Sequence, residues 1–260
     1  MQKYLNEKGL SISVAFCPER VAQGHSLKEI KELPQIISAF DTKTLSKVRR
    51  VFSHFSQDII EVKPIEAELA KLMTNSFRYI QFAIVNQFYM LASENGIDFE
   101  AILHACRYNY PRMTGMPGPG FAAGPCLVKD TMQLAAYNQN QFILGHAAML
   151  INEGLPLHIV KLAKKEYDLS KITAGILGMA FKGNIDDKRD SLSYKLKKIL
   201  TLECTRVLCT DPYVHDDELV PLEKVLCEAD IIFLGAPHTV YKEVNIPHDK
   251  VVYDVWGFFK

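Results

Sequence analysis

Apolar positions change their rhythm twice along this chain. In the first part they come in short separate runs, LSISVAF at 10–16 and LPQIISAF at 33–40, both rich in the residue types that favour strands. The first run stops at Cys17-Pro18, and a proline cannot donate to a central ladder, so at most an edge strand is expected there. Ser26–Glu32 has room for one or two helical turns, and the residues before Gly9 for half a helix. Neither run has an evident strand neighbour, so the segment reads as part of a sheet and not as a domain of its own.

From Pro64 the spacing becomes three and four. Ile65, Leu69, Leu72, Met73, Phe77, Ile80, Ile84, Phe88 and Leu91 predict one helix of roughly 30 residues, with Pro64 in its first turn and Gly96 as its stop. A helix that long serves as a spine between domains, a dimer contact or an ordinary core element. Asp98 can cap a second helix, Phe99–Cys106. Residues 107–125 hold four glycines and four prolines, the composition of a loop shaped to let its backbone approach a ligand. Helices are expected from about Leu127 to Glu153 and from Leu157 to Glu166.

After Leu169 the pattern turns to continuous apolar runs at 172–181, 205–214, 229–237 and 250–257, alternating with helical stretches Ser191–Leu202 and Leu222–Cys227. That alternation predicts an α/β fold with a parallel, doubly wound sheet, whose ligand loops follow the strands at FKGN, DPY and APH. The expected division is 1–63, 64–168 and 169–260.

Composition narrows the functional classes. Thirty Lys and Arg balance thirty Asp and Glu over 260 residues, which does not support a nucleic-acid partner. Apolar stretches such as Ile172–Ala180 are too short to span a bilayer, and no charged and then apolar leader opens the chain. The six cysteines include no CxxC pair and read as reduced thiols, most of them in the core. No cysteine and histidine set has zinc spacing. A soluble cytoplasmic protein without a metal or membrane partner is expected.

Cys126 follows the Gly/Pro loop and starts a helix. A helix N-terminus favours a thiolate, so this is the location of a nucleophile, or else of a small structural residue. Asp130, one turn on, could orient water or a proton. Lys71 and Asn75 are spaced to project together and could hold an oxyanion, or could simply be a solvated face. Glu19 follows a strand end. Lys182 and Arg189, in FKGNIDDKRDS, could meet phosphates or be surface charges.

Taken in order, CPERVAQG, the Lys71/Asn75 helix, PGPGFAAGPCLVKD and FKGNIDDKRDS resemble the UDP-glucose/GDP-mannose dehydrogenase family, over nearly the whole chain from Ser11. The resemblance implies a helical central dimerisation domain followed by a Rossmann-like sheet that binds a UDP-sugar, and a homodimer through the central helix. It implies NAD-dependent four-electron oxidation of the C6 hydroxyl of a UDP-hexose to a carboxylate. In that scheme Cys126 forms a thioester, Lys71 and Asn75 stabilise the oxyanion, Asp130 positions water and Glu19 assists hydrolysis. Arg112, Phe121, Phe181 and Lys182 would contact the substrate, and Lys129 and Arg189 the cofactor.

Three features depart from the family pattern. The loop from Gly120 to Cys126 reads GFAAGPC, one residue longer than the family's, with alanines for glycines. Its PGPG is similar to that of the N-acetylhexosamine members while Lys129-Asp130 is similar to the UDP-glucose ones, which leaves both hexose types open. The family's opening GxGxxG unit, whose helix N-terminus receives the cofactor pyrophosphate, does not occur. Residues 1–63 are therefore expected to be a remnant of a cofactor domain, short of it by roughly a hundred residues. Two alternatives follow: a non-catalytic nucleotide-sugar-binding or dimerising module that partners another subunit, and a hydroxyacid-type dehydrogenase, which would have no use for Cys126 and Asp130.

Overall fold

A computed structural model describes residues 2–259. The chain forms two compact units, 1–75 and 76–260. In the first, β1 (Ala15–Phe16) pairs antiparallel with β2 (Gln35–Ala39), and β2 pairs parallel with β3 (Ile59–Glu61). Helices α1 (Gln2–Glu7), α2 (Ser26–Glu32) and α3 (Thr42–Phe52) accompany them. The expected strand at 10–16 shrinks to its last two residues, as an edge strand ending before Pro18.

Neither α3 nor β3 is among the elements expected from sequence, and β3 is the missing neighbour of β2. Its three residues are too few to show a period. α3 begins at a legible signal: Asp41 accepts from the Thr44 N–H at 2.8 Å and from the Thr44 hydroxyl at 2.6 Å.

Helix α4 runs Pro64–Glu94 as its spacing predicts, and the unit boundary at Asn75/Ser76 falls within it. In the second unit α5 (Phe99–Arg107) is capped by Asp98, which accepts from the Glu100 N–H. The expected helices at 127–153 and 157–166 are corrected to α6 (Leu127–Tyr137) and α7 (Ile143–Glu166). The break falls where Gln139 and Asn140 adopt positive φ, and α7 continues through Pro156 at the loss of one backbone hydrogen bond.

The C-terminal sheet contains β4 (Thr173–Leu177), β5 (Arg206–Thr210), β6 (Ile231–Leu234) and β7 (Val251–Tyr253), with α8 (Leu192–Glu203) and α9 (Leu222–Glu228) between them. All pairs are parallel, in the order β5-β4-β6-β7. Alternate residues serve opposite faces. Ala174, Ile176, Ile231 and Phe233 pack with Leu196 and Leu200 of α8 and Leu155 and Ile159 of α7. Leu177, Leu208, Ile232 and Leu234 pack with Val225 and Ala229 on the other side.

Two further expectations are corrected. α7 is long and apolar enough by composition to cross a membrane. Its buried residues, Asn152, Leu155, Pro156, Ile159, Val160 and Ala163 among them, are core of this unit. Of the cysteines, all free, only Cys209 is buried; Cys17, Cys106 and Cys204 are half-buried, and Cys126 and Cys227 are exposed.

Candidate active site

The Gly/Pro loop is anchored before it reaches Cys126. Asn86 of α4, fully buried, clamps Gly120 at both ends: its amide donates to the Gly120 carbonyl and its oxygen accepts from the Gly120 N–H, each at 2.9 Å. Asn152 of α7 holds Asn86 in turn, accepting at 2.9 Å and donating to the Tyr79 carbonyl at 3.0 Å. Gly120 has φ +148°, and a Cβ there would lie 2.2 Å from the Trp256 ring, so the loop passes where only glycine fits.

Phe121, expected at the substrate, is only 4% exposed and packs in the sheet core edge-on to Trp256. Its side chain is part of the core. At Gly124 the loop passes under Phe181, whose ring would be 2.7 Å from a Cβ, and the Gly124 N–H points to the Asp190 carbonyl.

Cys126 then occupies the N-cap of α6 without a side-chain cap bond, its residue exposed, at the positive end of the helix. Asp130 is buried one turn on and pairs with Lys129 at 2.9 Å. Lys129 is held charged above its ordinary value by that hydrogen bond first, then by the Asp130 charge, with Cys126 adding a smaller part. Arg189 grips Asp187 with two nitrogens, at 2.7–3.1 Å. It too is shifted upward, chiefly by Asp187 and to a lesser degree by Cys126. Both cations expected at the cofactor are thus already paired with carboxylates.

The structure brings Cys126, Asp130, Lys129, Arg189 and Phe181 to one region of the second unit. Arg112 is exposed and lies over the Tyr110 ring, donating to its hydroxyl at 3.2 Å. Glu19, Lys71 and Asn75 belong to the first unit. Glu19 is exposed and accepts from the Val21 N–H in its own loop. Lys71 is half-buried and Asn75 only 6% exposed, so these two are not a solvated face.

Phe181 and Lys182 lie just beyond β4, at the point where the strand order reverses between β4 and β6. In open parallel sheets that is where ligands bind. Two residues that sequence reasoning left unnamed, although it marked their DPY and APH segments, organise this end. Asp211 follows β5 and His238 follows β6, and their side chains, both 0% exposed, meet at 3.0 Å. The available signal was a carboxylate and an imidazole each placed directly after an apolar strand.

Cofactor fit can be tested at α3, the helix that follows the parallel strand β2. A dinucleotide fold receives the pyrophosphate at such a helix N-terminus. Here Asp41 already fills it with a carboxylate, and the turn Phe40-Asp41 contains no glycine. These residues do not fit a dinucleotide's pyrophosphate. Among the described residues no group of His, Cys, Asp and Glu could hold a metal ion.

Two domain profiles match the chain: "UDP-glucose/GDP-mannose dehydrogenase family, central domain" over residues 65–153, and the same family's UDP binding domain over 175–260. UDP-N-acetyl-D-mannosamine dehydrogenase of Methanocaldococcus jannaschii is 34% identical over 245 residues, which is 92% of this chain and 56% of the relative. The Escherichia coli K12 protein of the same name is 24% identical, over 96% of this chain and 64% of its own length. The chain spans little more than half the length of such curated relatives. Among solved structures, the UDP-D-ManNAc dehydrogenase of Pyrococcus horikoshii superposes with a TM-score of 0.85 at 30% identity, over 94% of this chain and 60% of that one. A UDP-glucose dehydrogenase from Pyrobaculum islandicum superposes at 0.86 and 23% identity, over 98% and 66%, a likeness of fold alone.

Proposed function

Because this chain belongs to the UDP-glucose/GDP-mannose dehydrogenase family, we propose that it carries the sugar-handling half of a cytoplasmic UDP-hexose 6-dehydrogenase, with Cys126 as the nucleophile. The observation that carries this reading is the exposed thiol at the start of α6, backed by buried Asp130 and reached through a loop clamped at Gly120. The relatives' names favour a UDP-N-acetylhexosamine over UDP-glucose. The division 1–63, 64–168 and 169–260 is part of the same reading, with UDP bound by the last segment through Phe181 and Lys182.

The chemistry that falls to these residues brackets the second oxidation. The Cys126 thiolate adds to the carbon of the C6 aldehyde; a C–S bond forms, and the carbonyl π pair becomes an oxyanion that takes a proton. The resemblance gives Lys71 and Asn75 that oxyanion, and Arg112 a sugar contact. After a thioester has formed, water held by Asp130, with Glu19 assisting, attacks its carbonyl; the C–S bond breaks and the thiol leaves as the carboxylate departs. The oxidations need a hydride acceptor, for which the resemblance names NAD. The start of α3 does not form its pyrophosphate cradle, and no hydride step is assigned to these residues.

In a second reading the chain is a UDP-sugar-binding module that partners another subunit. The exposed apolar stripe of α4, with Phe77, Ile84, Phe88 and Leu91, supports pairing with a second copy in either case. One experiment separates the readings without a cofactor. The 6-aldehyde of a UDP-N-acetylhexosamine should block alkylation of Cys126 by iodoacetamide, located by peptide mass spectrometry, while UDP alone should not. Equal alkylation with and without aldehyde would contradict the nucleophile and favour the binding module.

A further inference from the structure

The buried pair at the ends of β5 and β6 is not used by the chemistry above, yet five hydrogen bonds converge on its carboxylate. Asp211 accepts from the Met179 and Ala180 N–H groups beyond β4, at 2.6 and 3.0 Å. It also accepts from Tyr213 and Val214 in its own loop, both at 2.8 Å, and from His238 Nε2 at 3.0 Å. One carboxylate thus ties the carboxyl ends of three adjacent strands. Burial alone would raise its pKa, but the bond from His238 and those from backbone N–H groups outweigh it and hold the acid at about 2.

The imidazole extends the tie. Its Nδ1 accepts from the Asn184 N–H at 2.9 Å, so Nε2 carries the proton given to Asp211. Asn184 sits at φ +60° and accepts through its side chain from the Thr239 N–H and hydroxyl. The Tyr213 and Tyr241 rings pack at steep angles to the imidazole, with centroids 5.1 and 5.5 Å from it. Behind it, Gly178 has φ +90°, and a Cβ there would lie 2.5 Å from the Ala236 carbonyl oxygen. The two loops therefore touch as closely as backbones can.

The segment from Ala180 to Asn184 is consequently held at both ends by one pair of side chains, and Phe181 and Lys182 lie between the anchors. We propose that Asp211 and His238 are positioning residues: Asp211 through the Ala180 N–H and His238 through the Asn184 N–H each fix one end of residues 180–184, so that Phe181 and Lys182 are presented to a uridine nucleotide, with Lys182 toward its diphosphate. This rests on the reading of that segment as the UDP site. A preorganised loop spares the ligand the cost of ordering it, which is the form the effect on affinity takes.

The two nitrogens can be separated by substitution. His238→Asn places an oxygen where Nδ1 was and keeps the acceptor for Asn184. His238→Gln reaches Asp211 but leaves the Asn184 N–H without its partner. Titrating UDP into the full chain by calorimetry should show the Gln variant weakened by about tenfold and the Asn variant within about threefold of wild type. Amide exchange in the UDP-free chain should be fast at Asn184 in the Gln variant and slow in wild type and Asn.

Equal affinities in all three proteins, or equal losses in both variants, would overturn the proposal. Should the Gln variant fail to fold, wild type alone decides. Protection of Asn184 before UDP is added supports preorganisation, and protection that appears only with UDP overturns it. A wild-type chain that does not bind UDP would overturn the reading of the site and, with it, the presentation to a nucleotide. Asn184 exchange then still tells whether the pair fixes the loop.

Discussion

The chain builds two parallel-strand arrangements, and they differ in completeness. The C-terminal sheet has four parallel strands, with helices covering both faces and a buried carboxylate stitching its ligand loops. The N-terminal sheet has strands of two, five and three residues, and large apolar side chains such as Leu27 (88% exposed), Ile30 and Phe40 lie open in its unit. Parallel strands need cover on both faces to bury their apolar runs. The difference bears on the proposed site: the strand ends of the second unit are cross-linked by the Asp211 and His238 side chains, whereas the helix after the parallel strand β2 in the first unit opens on Asp41, with no glycine in its turn to receive a pyrophosphate.

Core substitutions should break that contrast most visibly. Phe233→Ala removes a fully buried ring stacked at 5.0 Å on Tyr253 and should cost about 3–5 kcal/mol in chemical denaturation. Leu27→Ala in the first unit should stay within about 0.5 kcal/mol of wild type. If the two cost the same, the contrast in packing is wrong.

Acid sharpens it next. Asp211 is depressed from 3.8 to about 2, so its contribution is complete above the unfolded value and is lost as pH falls through the folded one. Between pH 4 and pH 2 the stability gap between wild type and Asp211→Asn should therefore narrow, by about 2 kcal/mol. A gap independent of pH in that window would remove the ionised carboxylate from the account. The smallest effect belongs to the first unit. Asp41→Ala deletes the α3 cap and should loosen that helix end alone, read as faster amide exchange at Thr44 with the C-terminal sheet unaffected.

Much of this was legible in the residues. The period of α4, the cap at Asp98 and all four C-terminal strands were read from apolar spacing, because each rests on repetition or on a long continuous run. β3 was not, since three residues carry no period, and the α6–α7 break hid in NQNQ, where no glycine or proline marks it, while Pro156 lies inside α7 without ending it. At the site, Cys126 and Asp130 stood out because their chemistry is local: a loop, a helix start, one turn. The place of Phe121 beside the cysteine loop does not reveal that its ring packs in the core. The Asp211–His238 pair and the Asn86 clamp join residues 27 and 34 positions apart, and spacing along a chain cannot show such contacts.

The proposal puts a UDP-sugar site in the second unit and, with Asp41 at the start of α3, no dinucleotide seat there. Calorimetric titration of the purified chain with UDP and, separately, with NAD tests it most directly. Saturable binding of UDP and no heat beyond dilution for NAD is the predicted result; micromolar binding of NAD, or none of UDP, would contradict it.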